Sequence, residues 1–184
     1  MTANQEHLTK TIDIMVVDNT IPSLCTLIEI LSKSGYKPRP IKDPQMALDA
    51  ALAQPPSLIL LDVKMPKMSG FELARRLKQA KHTSDVPIIF VSALEDTEDR
   101  VQGFNAGGVD FVSKPIQEAE VLARIKTHLK LQYTKLHLAE LVTERTAELI
   151  KTNKALKKEV KQRIRAEEEI RKNEEKFRGV FNSM

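Results

Sequence analysis

The chain has 184 residues, of which 41% are hydrophobic and 29% are charged, the balance of a folded globular protein. This length suits one domain with an appendage and is too short for two domains of ordinary size. A single cysteine excludes an internal disulfide, and no run of about 18 apolar residues predicts a membrane span. We therefore expect a cytoplasmic protein with no membrane-spanning segment.

The positive charge is concentrated in the second part of the sequence. Residues 1–127 hold 15 basic and 16 acidic side chains, a net charge of −1, whereas residues 128–184 hold 14 and 9, a net charge of +5. A basic region of this kind could bind nucleic acid or anionic lipid. Its signs are interspersed, however, as in Lys157-Lys158-Glu159, which favours a solvated helix face and no nucleic-acid partner.

Short apolar runs alternate with helical patterns over residues 12–115. This alternation predicts an α/β fold with a doubly wound, five-stranded parallel sheet. The four clear strands fall at 12–17, 57–61, 86–91 and 109–112. A weaker fifth strand at 37–41 contains Pro38 and Pro40, which cannot donate ladder hydrogen bonds, so we expect it at an edge of the sheet.

Helices are predicted between these strands from apolar spacing and from capping residues. Asp43 and Pro44 have the residue types of an N-cap and a first helical residue, so a helix should begin there. Further helices are predicted around 24–31, 69–80 and 95–106, and a fifth should follow Pro115. On the first helix we expect Cys25 to be packed or half-buried. His7, His82, His128 and His137 show no metal-ligand spacing and are expected at the surface.

From residue 116 to residue 176 the sequence contains neither proline nor glycine. Such a stretch predicts an extended rod, a coiled coil or several helices with hidden turns. A spacing that alternates between four and three residues favours a two-stranded parallel coiled coil, and therefore a homodimer, although Arg163 interrupts it and Asn153 is polar. The positions are Leu149, Asn153, Leu156, Val160, Arg163, Glu167, Ile170, Glu174 and Phe177.

Polar residues directly follow the apolar runs, at the strand ends where doubly wound sheets form their sites. They are Asp18, Asn19, Asp62, Ser92 and Lys114. This set suits phosphoryl transfer to a carboxylate, with Asp62 as the nucleophile and with Asp18 and Asn19 facing Mg²⁺ beside it. Ser92 and Lys114 would contact the phosphoryl oxygens. The alternative is that all five are ordinary solvated turn residues.

Four segments resemble, in order, the motifs of response-regulator receiver domains. They are Val16-Val17-Asp18, Leu60 to Gly70, Phe90 to Ala93 and Asp110 to Pro115. The resemblance covers residues 12 to 128 and implies a flavodoxin-like receiver that is a phosphoacceptor rather than an enzyme. It implies that Asp62 is phosphorylated by a histidine kinase or a phosphotransfer protein, and that the backbone carbonyl of Lys64 completes the Mg²⁺ ligands. It also implies a cis peptide bond between Lys114 and Pro115.

The same resemblance implies a switch and exposes one departure from the family. In the switch, Ser92 moves toward the phosphoryl group and Phe111 turns inward, although Phe111 could instead be plain core filler. The departure is Asn19, where the family pattern has a second carboxylate, and the loss of one charge near a dication predicts weaker Mg²⁺ binding. The alternative function is a degenerate receiver that acts as a phosphorylation-independent dimerisation module.

The region after the receiver resembles the signalling helix that leads into PAS domains, in segments such as Arg145-Thr146-Ala147-Glu148-Leu149. We expect this helix to carry the switch to an output, a sensor kinase or a cyclic-dinucleotide enzyme, outside the chain. The expected organisation is a disordered tail at 1–10, the receiver at 11–128, a coiled-coil signalling helix at 129–176 and the start of a truncated PAS-like domain at 177–184.

Overall fold

The computed structural model describes residues 12–93 and 97–181, with side chains described as far as residue 172. It divides into two compact units, Met1–Tyr133 and Thr134–Met184. The domain boundaries expected from the sequence, 11–128 and 129–176, stay predictions. The predicted tail at 1–10 lies outside the described residues, and so do the side chains of the predicted PAS start at 177–184.

Five strands form one parallel sheet in the order β2-β1-β3-β4-β5, which confirms the predicted fold class. The strands are β1 (Asp13–Val17), β2 (Lys37–Ile41), β3 (Leu58–Asp62), β4 (Ile88–Ser92) and β5 (Asp110–Ser113). The proline-containing strand lies at an edge as predicted, with Pro38 opposite Ile14 and Pro40 opposite Val16 of β1. Proline is tolerated there because β2 pairs on one side within the described sheet.

In the part of the chain that the structure describes, five helices connect or follow these strands. They are α1 (Ile21–Lys33), α2 (Pro44–Ala53), α3 (Gly70–Gln79), α4 (Thr97–Asn105) and α5 (Glu118–Phe181). The Asp43 carboxylate accepts hydrogen bonds from the backbone amides of Gln45 and Met46, which confirms the predicted cap of α2. Ser69 caps α3 through the amide of Glu72. Within the described residues, no helix is both long and apolar enough to cross a membrane.

The sheet separates two hydrophobic cores because successive strand residues point to opposite faces. Met15 and Val17 of β1 join one core, which also contains buried side chains of α2 and α3. Ile14 and Val16 join the other, which contains buried side chains of α1 and of the first turns of α5. The polar strand ends therefore lie between two apolar layers, at the edge where the chain leaves each strand.

The sequence predictions of exposure are wrong for two side chains. Cys25 is exposed, because α1 buries the stripe formed by Leu24, Leu27 and Leu31, and the next residue after Leu24 is turned about 100° away from it. The His128 side chain is only 14% exposed, and its Nε2 atom lies 2.9 Å from Asp110 Oδ2. That contact joins α5 to β5 and could not be seen from local sequence spacing.

Candidate active site

The ends of three strands bring two carboxylates and one ammonium together. Asp18 directly follows β1, Asp62 is the last residue of β3, and Lys114 directly follows β5. The Lys114 ammonium donates to Asp18 Oδ2 at 2.7 Å and to Asp62 Oδ1 at 3.0 Å. Asp18 is 1% exposed and Asp62 is 5% exposed. The structure thus places three of the predicted site residues in one hydrogen-bonded cluster, in which the two acids are buried and Lys114 is half-buried.

The backbone near Asp62 is held by a close approach of α3. The Gly70 amide donates to the Val63 carbonyl at 2.9 Å. A Cβ atom at position 70 would lie 2.1 Å from the carbonyl oxygen of Asp62, so no other residue fits without moving the strand or the helix. The glycine of the segment Leu60 to Gly70 therefore fixes where β3 ends, and with it the position of the Asp62 carboxylate.

The pKa values of the two carboxyl groups are displaced in opposite directions. Burial raises the pKa of Asp62, and the opposing hydrogen bond from Lys114 does not cancel that effect. Burial also acts to raise the pKa of Asp18, but the donors beside it on Lys114, Ser23 and Thr20 outweigh burial, so the pKa of Asp18 is lowered. Although burial alone would lower the pKa of Lys114, its two carboxylate partners raise it. The two acids and the ammonium together carry one negative charge when both acids are ionised.

Thr20 completes the surroundings of Asp18 through a contact that the sequence did not predict. Its backbone amide donates to Asp18 Oδ1 at 2.8 Å, and its hydroxyl donates to the same oxygen at 2.6 Å. A threonine directly before a helix ordinarily indicates an N-cap, so the sequence carried no signal for this contact.

The other predicted site residues are placed near these strand ends with different exposure. Ser92 is the last residue of β4 and is 3% exposed. Asn19 is exposed beside Asp18, and the Lys64 side chain is exposed in the loop after β3. The peptide bond between Lys114 and Pro115 is cis, as the resemblance implies.

Phe111 of β5 lies inside the domain, 8% exposed, as part of a run of four aromatic rings. Its ring centroid is 5.2 Å from those of Phe90 and Phe104, and Phe90 in turn is 5.1 Å from Phe71. α4 makes room for it with Gly103, where a Cβ atom would come within 2.3 Å of Phe111 Cζ. The inward position of Phe111 therefore depends on a missing side chain in α4.

The donors at this edge of the sheet fit a hard divalent cation. Carboxylate, amide and backbone carbonyl oxygens are the ligands that Mg²⁺ prefers. Within the described residues, however, no three His, Cys, Asp or Glu side chains gather in a way that could hold a metal. The carboxylates at the site are Asp18 and Asp62, and the residue next to Asp18 is Asn19, whose side chain carries an amide oxygen without charge. These residue types fit a divalent cation, but they supply one negative charge fewer than a site with three acids.

A sequence model of the response regulator receiver domain matches residues 9–126. The chain belongs to this family. Receiver domains are phosphoacceptors that interact with histidine kinases or phosphotransfer proteins, and they bind Mg²⁺ at the phosphorylation site in general. Asp18, Asp62 and Lys114 all lie within the residues that this family model matches.

Three relatives show how far the similarity extends. The chain is 36% identical over 117 residues to the phosphate regulon transcriptional regulatory protein PhoB of Pseudomonas aeruginosa, a match that covers 64% of this chain and 51% of PhoB. It is 36% identical over 129 residues to the response regulator PleD of Caulobacter vibrioides, covering 69% of this chain and 28% of PleD. The signal receiver domain of a signal transduction histidine kinase from Syntrophus aciditrophicus superposes with a TM-score of 0.60 at 29% identity, over 64% of this chain and 89% of that one. The matched receiver spans about half or less of these curated relatives.

Proposed function

We propose that Asp62 accepts a phosphoryl group from a histidine kinase or a phosphotransfer protein. The observation that supports this most directly is the Lys114 ammonium, 3.0 Å from Asp62 Oδ1 and 2.7 Å from Asp18 Oδ2. An oxygen of Asp62 attacks the phosphorus of the donor's phosphohistidine, so that an O–P bond forms while the N–P bond breaks. Lys114 is already in place to receive the negative charge of the transferred group.

The neighbouring groups take separate roles in this proposal. Lys114 pairs with one phosphoryl oxygen, and Ser92 donates its hydroxyl to another. Asp18, Asn19 and the backbone carbonyl of Lys64 are the residues that would hold Mg²⁺ beside the acceptor carboxylate. The chemistry that bound Mg²⁺ supplies is charge neutralisation between the carboxylate and the incoming phosphoryl group, which repel each other. With an amide at position 19, Mg²⁺ binds less tightly than in a site with a third acid, so a higher Mg²⁺ concentration is needed to neutralise the site.

The switch in this proposal starts at Ser92 and ends at the surface formed by α4, β5 and α5. Ser92 is the last residue of β4, and Phe111 lies on the neighbouring strand β5. Because Phe111 also contacts α4 at Gly103, a shift of Ser92 toward the phosphoryl group can reach α4 through this ring. The Phe111 ring carries no hydroxyl, so its buried position needs no hydrogen-bond partner.

The second unit, we further propose, forms a parallel coiled-coil homodimer in the cytoplasm and passes the switch to an output domain. Four apolar side chains at the predicted heptad positions, Leu149, Leu156, Val160 and Ile170, are between 47% and 69% exposed. An apolar stripe on a polar helix is unfavourable in water unless a partner covers it. The near-heptad spacing fits a second copy of the same helix better than a flat surface.

Phosphotransfer to the purified chain tests the proposal. With a histidine kinase or a small-molecule phosphodonor, the wild type should gain a Mg²⁺-dependent phosphoryl label, and Asp62→Asn should gain none. Asp49→Asn removes an exposed carboxylate of α2 and should be labelled like the wild type. The competing function, a degenerate receiver that only dimerises, predicts an unlabelled wild type whose dimer is insensitive to phosphodonor.

A further inference from the structure

Thr20 is unusual because its side chain bonds to Asp18 instead of to the helix that it begins. It is the N-cap residue of α1, and the hydroxyl of a capping threonine ordinarily accepts a hydrogen bond from the first turn. Here it makes no such cap. Its hydroxyl donates to Asp18 Oδ1 at 2.6 Å, while its amide donates to the same oxygen at 2.8 Å. As a result, α1 begins without a side-chain cap, and Asp18 accepts two hydrogen bonds from Thr20.

The Asp18 carboxylate is close to saturation as a consequence. An ionised carboxylate offers about four lone-pair sites, two on each oxygen. Thr20 takes both on Oδ1, and Lys114 takes one on Oδ2 at 2.7 Å. A cation that takes Asp18 as a direct ligand must use the last lone pair or displace one of these donors, and the Thr20 hydroxyl is the donor that can rotate away.

We propose that Thr20 is a positioning residue that lowers the affinity of the site for Mg²⁺ by occupying Asp18 Oδ1. This inference rests on the proposed function, because it concerns the cation of that same site. The effect of Thr20 differs from that of Asn19. Asn19 lacks a carboxylate, whereas Thr20 forms hydrogen bonds to the carboxylate that is present on Asp18. Mg²⁺ binding therefore competes with a hydrogen bond that the protein itself supplies.

Thr20→Val tests the competition because it removes the hydroxyl and keeps the branched shape. The hydroxyl does not cap α1, so the helix loses no cap. Mg²⁺ titration of the full chain, followed by NMR through the amide of residue 20, should show binding roughly tenfold to a hundredfold tighter than in the wild type, the size expected for one hydrogen bond to a charged group. Thr20→Ser keeps the hydroxyl and should match the wild type. Thr26→Val removes an α1 hydroxyl that donates to the Pro22 carbonyl and should also match it.

Equal or weaker Mg²⁺ binding by Thr20→Val would overturn the proposal. Asn19→Asp, introduced with and without Thr20→Val, separates this failure from a failure of the proposed function. If Asn19→Asp binds Mg²⁺ and a further Asp62→Asn abolishes that binding, the metal site stands, and an unchanged affinity on adding Thr20→Val refutes the role of Thr20 alone. If neither the wild type nor Asn19→Asp responds to Mg²⁺, both the metal site and the role of Thr20 are refuted.

Discussion

The Phe111 ring lies directly against Gly103 of α4, so that a methyl group at position 103 would come within 2.3 Å of Phe111 Cζ. In an exposed helix interior, replacing glycine by alanine stabilises a protein by about 1 kcal/mol. At this buried contact we expect the opposite sign, with Gly103→Ala destabilising the receiver by roughly 1–3 kcal/mol through overpacking. Denaturant unfolding measures the difference.

A second substitution tests whether the Phe111 ring causes the loss of stability in Gly103→Ala. In the background of Phe111→Ala, Gly103→Ala should lose most of its cost, because the atom that the new methyl group meets is gone. Phe71 Cε1, at 3.1 Å from the same Cβ position, limits the recovery. Gln102→Ala, at the exposed neighbouring position, should change the free energy of unfolding by less than about 0.5 kcal/mol. An undiminished cost in the Phe111→Ala background would rule the contact out as the cause.

Asp62→Asn should stabilise the phosphate-free receiver at neutral pH. Burial raises the pKa of Asp62, so the folded chain binds this proton more tightly than the unfolded chain does. The ionised carboxylate therefore reduces stability above the folded-state pKa, and this penalty disappears as the pH falls to the unfolded-state value, near 3.8. We expect a gain of about 1 kcal/mol at pH 7 for Asp62→Asn, because the buried charge is removed. Thermal unfolding should show no gain for Asp49→Asn, and a loss of stability in Asp62→Asn would contradict the prediction.

Arg124→Met should remove a contribution to stability whose pH dependence has the opposite sign to that of Asp62. Although burial acts to raise the pKa of Asp110, hydrogen bonds from Arg124 and His128 outweigh it, so the pKa is lowered. That contribution is present above the unfolded-state pKa, near 3.8, and is lost as the pH falls through the folded-state value. Because the guanidinium is 38% exposed, screening limits the expected cost at pH 7 to about 1 kcal/mol.

The matched control for Arg124→Met is Arg75→Met, which breaks an exposed ion pair with Glu72 within α3. An exposed pair of this kind contributes less than about 0.5 kcal/mol and should change the acid limb of the stability curve less than Arg124→Met does. If the two substitutions changed the free energy of unfolding equally across the pH range, the contacts of Asp110 would contribute no more than an exposed ion pair does.

Asn19→Asp should strengthen Mg²⁺ binding and speed phosphorylation at limiting Mg²⁺. The new carboxylate adds a charge beside Asp18, and part of the Coulomb gain is offset by desolvation, so we expect an affinity about tenfold higher. Asn105→Asp adds the same charge at an exposed position of α4 and should have no such effect. The measurement is the Mg²⁺ concentration at half-maximal labelling of Asp62, and equal values for the two variants would count against a metal role for position 19.

Leu149→Glu combined with Leu156→Glu should convert the proposed dimer to a monomer. These leucines are 69% and 57% exposed in the single chain, and two charges at neighbouring d positions would oppose burial against a second copy. Lys151→Glu combined with Lys158→Glu places the same residue on another face of α5 and should keep the dimer. Sedimentation velocity separates the outcomes, and a wild type that is already monomeric would contradict the coiled coil.

The residues of the site could be predicted from the sequence because the sheet determines where they meet. Asp18, Asp62 and Lys114 each lie at the end of an apolar run, and parallel strands of a doubly wound sheet present their carboxyl ends at one edge. The contact of Thr20 with Asp18 could not be predicted. A hydroxyl before a helix has two partners within reach, the first turn and the preceding acid, and the choice depends on a side-chain rotation that residue types do not determine.

The contacts of His128 and Phe111 also could not be predicted from the sequence, for a different reason. His128 contacts Asp110, 18 residues away, and Phe111 fits against Gly103 of a separate element. Both contacts depend on how helices pack against β5, whereas periodicity reports only which face of an element is apolar. Polar side chains at such packing contacts carry no periodic signal of their own.

Cys25 is the single thiol of the sequence, and the structure places it on the outside of α1. A nitroxide or fluorophore coupled to it by maleimide chemistry would therefore attach at one position per chain without any substitution. In a homodimer, the two labels would form one symmetric pair, so pulsed electron paramagnetic resonance would yield a single distance distribution. Recording it with and without a phosphodonor would measure directly how far the two receivers move.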